Sequence, residues 1–220
     1  MSGLTPAPRE AVHHPVFARA YARWAPLADA RLEMGRHRRE LLAGLSGRVI
    51  EIGAGSGLTF RYYPDAVSEV VAIEPERRLR RAAADAALRV DLPVDVVPGV
   101  AEALPVKSEA FDAAVACLVL CSVRDQRRAL AELRRVVKPG GELRLLEHVR
   151  STARGTAAVQ RAVDHTLWPL LFGGCHTGRD TLAEVASAGF RLEGVRRLRV
   201  PDGPIPVPSA PHVLCVARRV

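Results

Sequence analysis

"VIEIGAGSG", residues 49–57, joins a short run of branched apolar residues to three glycines at alternate positions, Gly53, Gly55 and Gly57. Such a run reads as a buried strand of a parallel sheet. Glycines placed directly after it allow a tight turn whose backbone closely approaches a nucleotide bound at the strand's carboxyl end. The pattern G-x-G-x-G is weak by itself, because the dinucleotide fingerprint of nicotinamide enzymes starts the same way. Two features separate the readings. Glu51, acidic and two residues before the first glycine, suits a cationic ligand without phosphates, and Leu58 stands where the last glycine of G-x-G-x-x-G belongs.

Working outward, strands and helices alternate. "EVVAIEP" (69–75), "PVDVVPG" (93–99), "FDAAVACLVL" (111–120) and "ELRLLEHV" (142–149) are further strands. "PERRLRRAAADAALRV" (75–90) and "RDQRRALAELRRVVKPGG" (124–141) are helices, the second expected to close at Gly140. A βαβ series with right-handed crossovers makes a mainly parallel sheet covered on both faces. An insertion follows, "RSTARGTAAVQRAVDHTLWPLLFGGCHTG" (150–178), broken at Pro169 and Gly173-Gly174, and then a helix, "RDTLAEVASAGF" (179–190). "RLEGVRRLRV" (191–200) and "PHVLCVARRV" (211–220), joined by a Pro-rich loop, form a final hairpin with one strand antiparallel to the rest. On the N-terminal side, residues 14–45 read as helical, with Phe17, Tyr21, Trp24 and Leu27 in one stripe and Pro26 expected to divide the segment into two helices. The expected fold is α/β, a mainly parallel seven-stranded sheet with a C-terminal antiparallel hairpin and N-terminal lid helices. One domain spans residues 1–220: lid 1–45, cofactor-binding core 46–150, substrate-side insertion 151–180, and C-terminal helix and hairpin 181–220.

With 220 residues, 48% hydrophobic and 25% charged, the chain can bury a full core without disulfides or metals, and no apolar run is long enough for a membrane helix. The N-terminus has no basic region followed by an apolar one, so a cytoplasmic location and no stable membrane insertion are expected. The net charge of +8 raises nucleic acid as a partner. Of the 32 basic residues, however, only Lys107 and Lys138 are lysines, and the arginines are scattered singly or in pairs without interleaved aromatics. A compositional bias explains that better than a recognition surface, so no nucleic acid is expected. Cys117, Cys121, Cys175 and Cys215 include no CxxC pair. Cys117 and Cys121 read as packing residues, and no metal site is expected.

Glu74 ends the second strand, where a carboxylate can take both ribose hydroxyls of NAD or of S-adenosylmethionine. Glu102, in the loop after the third strand, can meet an adenine amino group or stand as a solvated charge. "VIEIGAGSGLTFRYYP", "VVAIEP", "GVAEALP", "LVLCSVRDQRRALAELRRVVKPGGELRLLEHV" and "GGCHTGRDTLAEVASAGF" together resemble the class I S-adenosylmethionine-dependent methyltransferases, in the branch of the methyltransferase-like thiol methyltransferases and their bacterial relatives. The resemblance covers roughly residues 14–216. It implies that Glu51, Gly53, Gly55, Gly57, Glu74, Glu102 and Leu118 form the cofactor site, with S-adenosylhomocysteine as product. Val100 stands where the superfamily often has an acidic residue, which moves the adenine contact to Glu102. The animal relatives also resemble membrane-anchored proteins through an apolar N-terminal segment that does not appear here.

Methyl transfer from a sulfonium is an in-line displacement needing alignment and a deprotonated acceptor, with no covalent protein intermediate. "GGCHTGRD" (173–180) is therefore read as structural first: the glycines turn the chain, Thr177 or Asp180 caps the next helix, and Cys175 and His176 face the pocket. His148, at the end of the fifth strand, is the first candidate base. His176 and Asp164 follow, with Glu147 beside His148 and His165 beside Asp164 as further groups that can remove a proton. Phe17, Tyr21, Trp24, Trp168 and Phe172 are core residues or the walls of an apolar substrate chamber. The expected activity is methylation of a small, partly apolar molecule, a thiol first. The alternatives are a quinone, phenol or natural-product amine, then a nucleic-acid methyltransferase or a non-catalytic cofactor-binding subunit.

Overall fold

The computed structural model describes residues 15–203 and 207–220, without the side chains of residues 15–17 and 26. Seven strands form one sheet in the order β3-β2-β1-β4-β5-β7-β6. They are β1 (Gly47–Ile52), β2 (Val67–Ile73), β3 (Val94–Val97), β4 (Phe111–Cys117), β5 (Val137–His148), β6 (Phe190–Arg199) and β7 (Pro211–Arg219). The first five run parallel, and β7 inserts antiparallel between β5 and β6, as the terminal alternation predicts.

The sheet is covered on both faces, which is why its central strands read as continuous apolar runs. Along β1 the side chains alternate: Val49 packs with Val70, Val115, Leu41 and Leu42, while Ile50 and Ile52 pack with Val71, Ala114, Leu130 and Leu133. Thus α2 (Met34–Leu42) and α3 (Arg77–Ala87) cover one face, and α4 (Gln126–Val136) and α7 (Thr181–Ser187) the other. Glu76 caps α3 by accepting from the Arg78 and Leu79 amides, and Asp125 caps α4 by accepting from Arg128 N. Because β1 is flanked by β2 on one side and β4 on the other, the strand order reverses there. This opens a crevice at the carboxyl ends, where open α/β sheets bind ligands.

Four local expectations change. Helix α1 (Pro15–Arg31) runs through Pro26 without a break; the chain turns instead at Glu33, in the left-handed region at φ 52°. The stripe of large residues on α1 is only partly turned inward: Tyr21 lines the cavity, whereas Trp24 and Leu27 are exposed, and Ala18 and Ala25 are buried, since small residues let this helix lie close on its neighbours. Helix α4 ends at Val136 and β5 begins at once, so Gly140 sits in the strand's first residues at φ 75° and does not close the helix. Finally, Asp180 stands at the N-cap of α7 without bonding its amides, because its carboxylate pairs with Arg150; Thr177 is held by Asp164. The insertion forms α5 (Arg154–Asp164) and the short α6 (Trp168–Leu171).

Candidate active site

The crevice between β1 and β4 deepens into a cavity of about 640 Å³. Its floor is the glycine loop. Gly53 has φ 60°, and a side chain there would place its Cβ 2.2 Å from Val119 Cγ2, so only glycine fits between β1 and the loop after β4. Gly55, at φ 58°, turns its amide to Glu74, whose Oε2 accepts it at 2.8 Å while Oε1 accepts Glu76 N at 2.9 Å. Glu74 lines the cavity and is buried; loss of water pushes its carboxyl up to about 7, and the Glu76 and Gly55 amides hold it from rising further.

The opposite wall comes from the loop after β4, from the glycine turn of the insertion, and from Tyr21 on α1. Leu118 adopts φ 59°, unusual for a branched residue, with its amide donating to Leu146 O. The next three amides, of Val119, Leu120 and Cys121, donate to the fully buried carboxylate of Glu147 at 2.8–3.2 Å. Glu147 is therefore a scaffold for this loop and is not free to remove a proton. Glu102 Oε1 accepts Arg124 N at 2.9 Å and Asp125 N at 3.3 Å, which joins the β3 loop to the start of α4 while Glu102 still borders the cavity.

Of the sequence-derived candidates, Gly53, Gly55, Glu74, Glu102, Leu118, Tyr21 and His176 thus meet on one cavity. Glu51 lies behind the glycine loop, fully buried, accepting Thr59 Oγ1 at 2.5 Å and the Tyr63 hydroxyl at 2.9 Å; burial lifts its carboxyl to about 7. Gly57 packs against Phe60 and Ala86, also off the cavity. Asp164 holds the insertion loop, accepting Thr177 N, Thr177 Oγ1 and Gly178 N. That carboxylate is spent on a turn. His148 is not on the cavity wall: its Nδ1 lies 3.4 Å from Cys175 Sγ, and its ring leans on His212 with centroids 4.4 Å apart. Cys175 is buried beside it rather than on the cavity wall, which Gly173, Gly174 and His176 form. Trp168 and Phe172 stack on each other, Trp24 packs edge-on against Tyr21, and the Phe17 side chain falls outside the described residues. His176 Nδ1 donates to Gly174 O at 2.8 Å, leaving Nε2 as the ring's proton acceptor.

Two residues escape the sequence reading. Cys117 lines the cavity and accepts from Arg38 Nη1 at 3.0 Å, while burial drives its thiol up to about 12. Arg38 is itself buried and paired with Asp29 at 2.9 Å, so a charge from the N-terminal helices reaches the β4 tip. The spacing of "GRHRRELL" marks Arg38 as one of several basic residues and offers no signal for its burial.

A methyltransferase-domain family matches residues 50–145, the segment from β1 to the middle of β5. Thiol S-methyltransferase TMT1B of Homo sapiens is 31% identical over 194 residues, covering 83% of this chain and 78% of that protein. The chain is a class I S-adenosylmethionine-dependent methyltransferase. Demethylmenaquinone methyltransferase of Renibacterium salmoninarum is 33% identical over 128 residues, covering 55% of this methyltransferase and 52% of that protein. Among solved structures, a methyltransferase of Thermotoga maritima, described as a possible histamine N-methyltransferase, superposes with a TM-score of 0.68 at 23% identity. It covers 94% of this chain and all of its own, and it shows the shared fold. No helix among the described residues is long and apolar enough to cross a membrane.

Proposed function

We propose that this methyltransferase methylates the sulfur of a small, partly apolar thiol in the cavity between β1, β4 and the insertion. The similarity to thiol S-methyltransferases over most of both chains carries the reading. The cavity fits the family's cofactor: a Gly53 that no side chain can replace, an amide-rich turn at Gly55, and a buried carboxylate at the tip of β2. Bound S-adenosylmethionine supplies a methyl group activated on a sulfonium. Gly53 and Gly55 would hold its amino-acid portion, Glu74 its ribose hydroxyls, and Glu102 with Leu118 the adenine. Glu51 and Gly57 would act from behind, fixing the loop.

The chain's remaining task is to align the acceptor and deprotonate it. A thiol near pKa 8.5 is already about a tenth ionised near pH 7.5, so a base helps without being essential. Alignment can supply about 7–11 kcal/mol, against about 3–5 kcal/mol for a positioned base. His176, on the cavity wall with Nδ1 anchored, is the proton acceptor of this proposal. His148 and Asp164 would support the loop that presents it. Methyl transfer of this kind requires no metal.

The reading is tested by S-adenosylhomocysteine formation with matched thiols, phenols, amines and quinols. The expected result is fastest turnover on a thiol. The similarity to the demethylmenaquinone methyltransferase supports a second reading, C-methylation of a quinol, and preferred turnover of a quinol would replace the first with it.

A further inference from the structure

Behind the cavity wall lies a cluster whose two thiols methyl transfer does not use, beside the supporting His148. Cys121 follows β4, His148 ends β5, and Cys175 follows the glycine turn of the insertion. Their donor atoms all lie within 4.8 Å of one another, and among the described residues this is the only such group. Cys121 and Cys175 are buried and all four cysteines are free.

We propose that Cys121, His148 and Cys175 bind a thiophilic divalent cation of the zinc class. Two thiolates and an imidazole are the donors that such a cation selects, and three protein ligands leave the fourth position to water or another small ligand. The geometry is close to what coordination needs. With Zn–S near 2.3 Å and Zn–N near 2.0–2.1 Å, a tetrahedral site sets sulfur and nitrogen about 3.6 Å apart and two sulfurs about 3.8 Å apart. Cys175 Sγ and His148 Nδ1 stand 3.4 Å apart, and the Cys121 sulfur needs to move by no more than about 1 Å from the 4.8 Å limit. The backbone is already fixed. Glu147 holds the Cys121 amide, Cys121 O accepts His176 N at 2.9 Å, and His148 is registered opposite His212 on β7. The buried indole Nε1 of Trp168 sits beside Cys175 and would donate to its thiolate, satisfying the ligand from behind.

Binding would release the thiol protons to solvent and cross-link the β4 loop, the end of β5 and the insertion. That bridge sits one residue from His176 and would stiffen the wall shared with the cofactor cavity. It is independent of which acceptor is methylated.

The test uses the fully reduced full-length protein, with zinc and cobalt ions as probes. One equivalent of zinc should survive gel filtration, and X-ray absorption of the zinc-loaded wild type should show two sulfurs with nitrogen or oxygen in the first shell. Cobalt should give thiolate charge-transfer absorption. Cys121→Ser, Cys175→Ser and His148→Asn should each weaken binding by about a hundredfold or more, beyond the loss typical of supporting residues, whereas Cys215→Ser should bind as wild type. Zinc should raise the melting temperature of wild type and not of the three ligand variants. A first shell of nitrogen and oxygen alone, retention of affinity in Cys175→Ser, or no retained zinc in the reduced wild type would overturn the proposal. The wild-type measurements decide the matter even if a variant fails to fold.

Discussion

Replacing Glu74 tests the cofactor site most directly, because its carboxylate has two jobs. Each oxygen accepts one backbone amide, of Gly55 or Glu76, and keeps spare acceptor capacity while the residue borders the cavity. Hydrogen bonds to a charged group contribute about 1.5–3 kcal/mol, so Glu74→Ala should weaken S-adenosylmethionine binding by about 10- to 150-fold. The carboxyl is held near 7 chiefly by burial, and only its ionised form accepts from two amides and two hydroxyls together. The sign follows. At pH 6 most of the free protein carries a proton on Glu74 that binding must remove; at pH 8 little does. Affinity should rise about tenfold across that window and level off above it. Glu51 also titrates near 7 and the ligand has its own ionisations, so the comparison is with Glu74→Gln, which retains both and should show a clearly flatter profile. Calorimetry from pH 6 to 8, with thermal melts to separate folding from binding, reads the result. A dissociation constant for Glu74→Ala within twofold of wild type, or parallel profiles for wild type and Glu74→Gln, would place the ribose elsewhere.

Gly53→Ala should cost at least about 2 kcal/mol in urea unfolding, because it combines a left-handed φ with a contact against Val119 that a stiff branched side chain cannot relieve; an unchanged midpoint would contradict the packing. Glu147→Gln turns an amide group toward three backbone donors, and should cost about 2–4 kcal/mol and weaken cofactor binding together, since the same loop shapes the cavity. Asp164→Ala should loosen the insertion, seen as faster proteolysis after Arg161 or Arg179, with a raised KM and an unaltered pH profile of kcat; a shifted profile would restore Asp164 to proton transfer. His176→Ala should lower kcat/KM on a thiol by less than about a hundredfold and recover toward pH 9, where the thiol ionises itself; abolished turnover at every pH would count against a sulfur acceptor.

The sheet and the glycine loop were legible because both follow from local pattern: apolar runs of strand length, alternating helices, and glycines where the backbone must turn tightly. The cofactor-side expectations for Gly53 and Glu74 lay at strand ends, with Glu102 in the loop after β3, and a parallel sheet gathers such ends and loops at one edge. What depended on contacts between distant segments was not legible. Cys121 and Cys175 share no local spacing, and only the fold brings them to His148. Arg38 looks like any basic helix residue until the β4 tip is set against it. On α1 the periodicity identified a helix correctly and placed Tyr21 on the inner side, but residue size gave no sign that Trp24 and Leu27 stay exposed while Ala18 and Ala25 are buried.

The three acids at strand ends show why a residue type at the right position does not yet define a role. Glu51, Glu74 and Glu147 are all buried and all close a strand of the sheet, so each must find donors or lose its charge. Glu51 takes two hydroxyls from the turn that follows its own strand, and this braces the glycine loop from beneath. Glu147 takes three consecutive amides from the loop beside it, which fixes the loop that brings Leu118 and Val119 to the cavity wall. Only Glu74 is satisfied by single bonds from two sides while still bordering the cavity, so it alone keeps acceptor capacity toward a ligand. A carboxylate buried behind the cavity wall, with all its partners internal, serves the shape of a site. One that borders the cavity with spare lone pairs can serve its chemistry, and among these three acids only Glu74, at the tip of β2, is so placed.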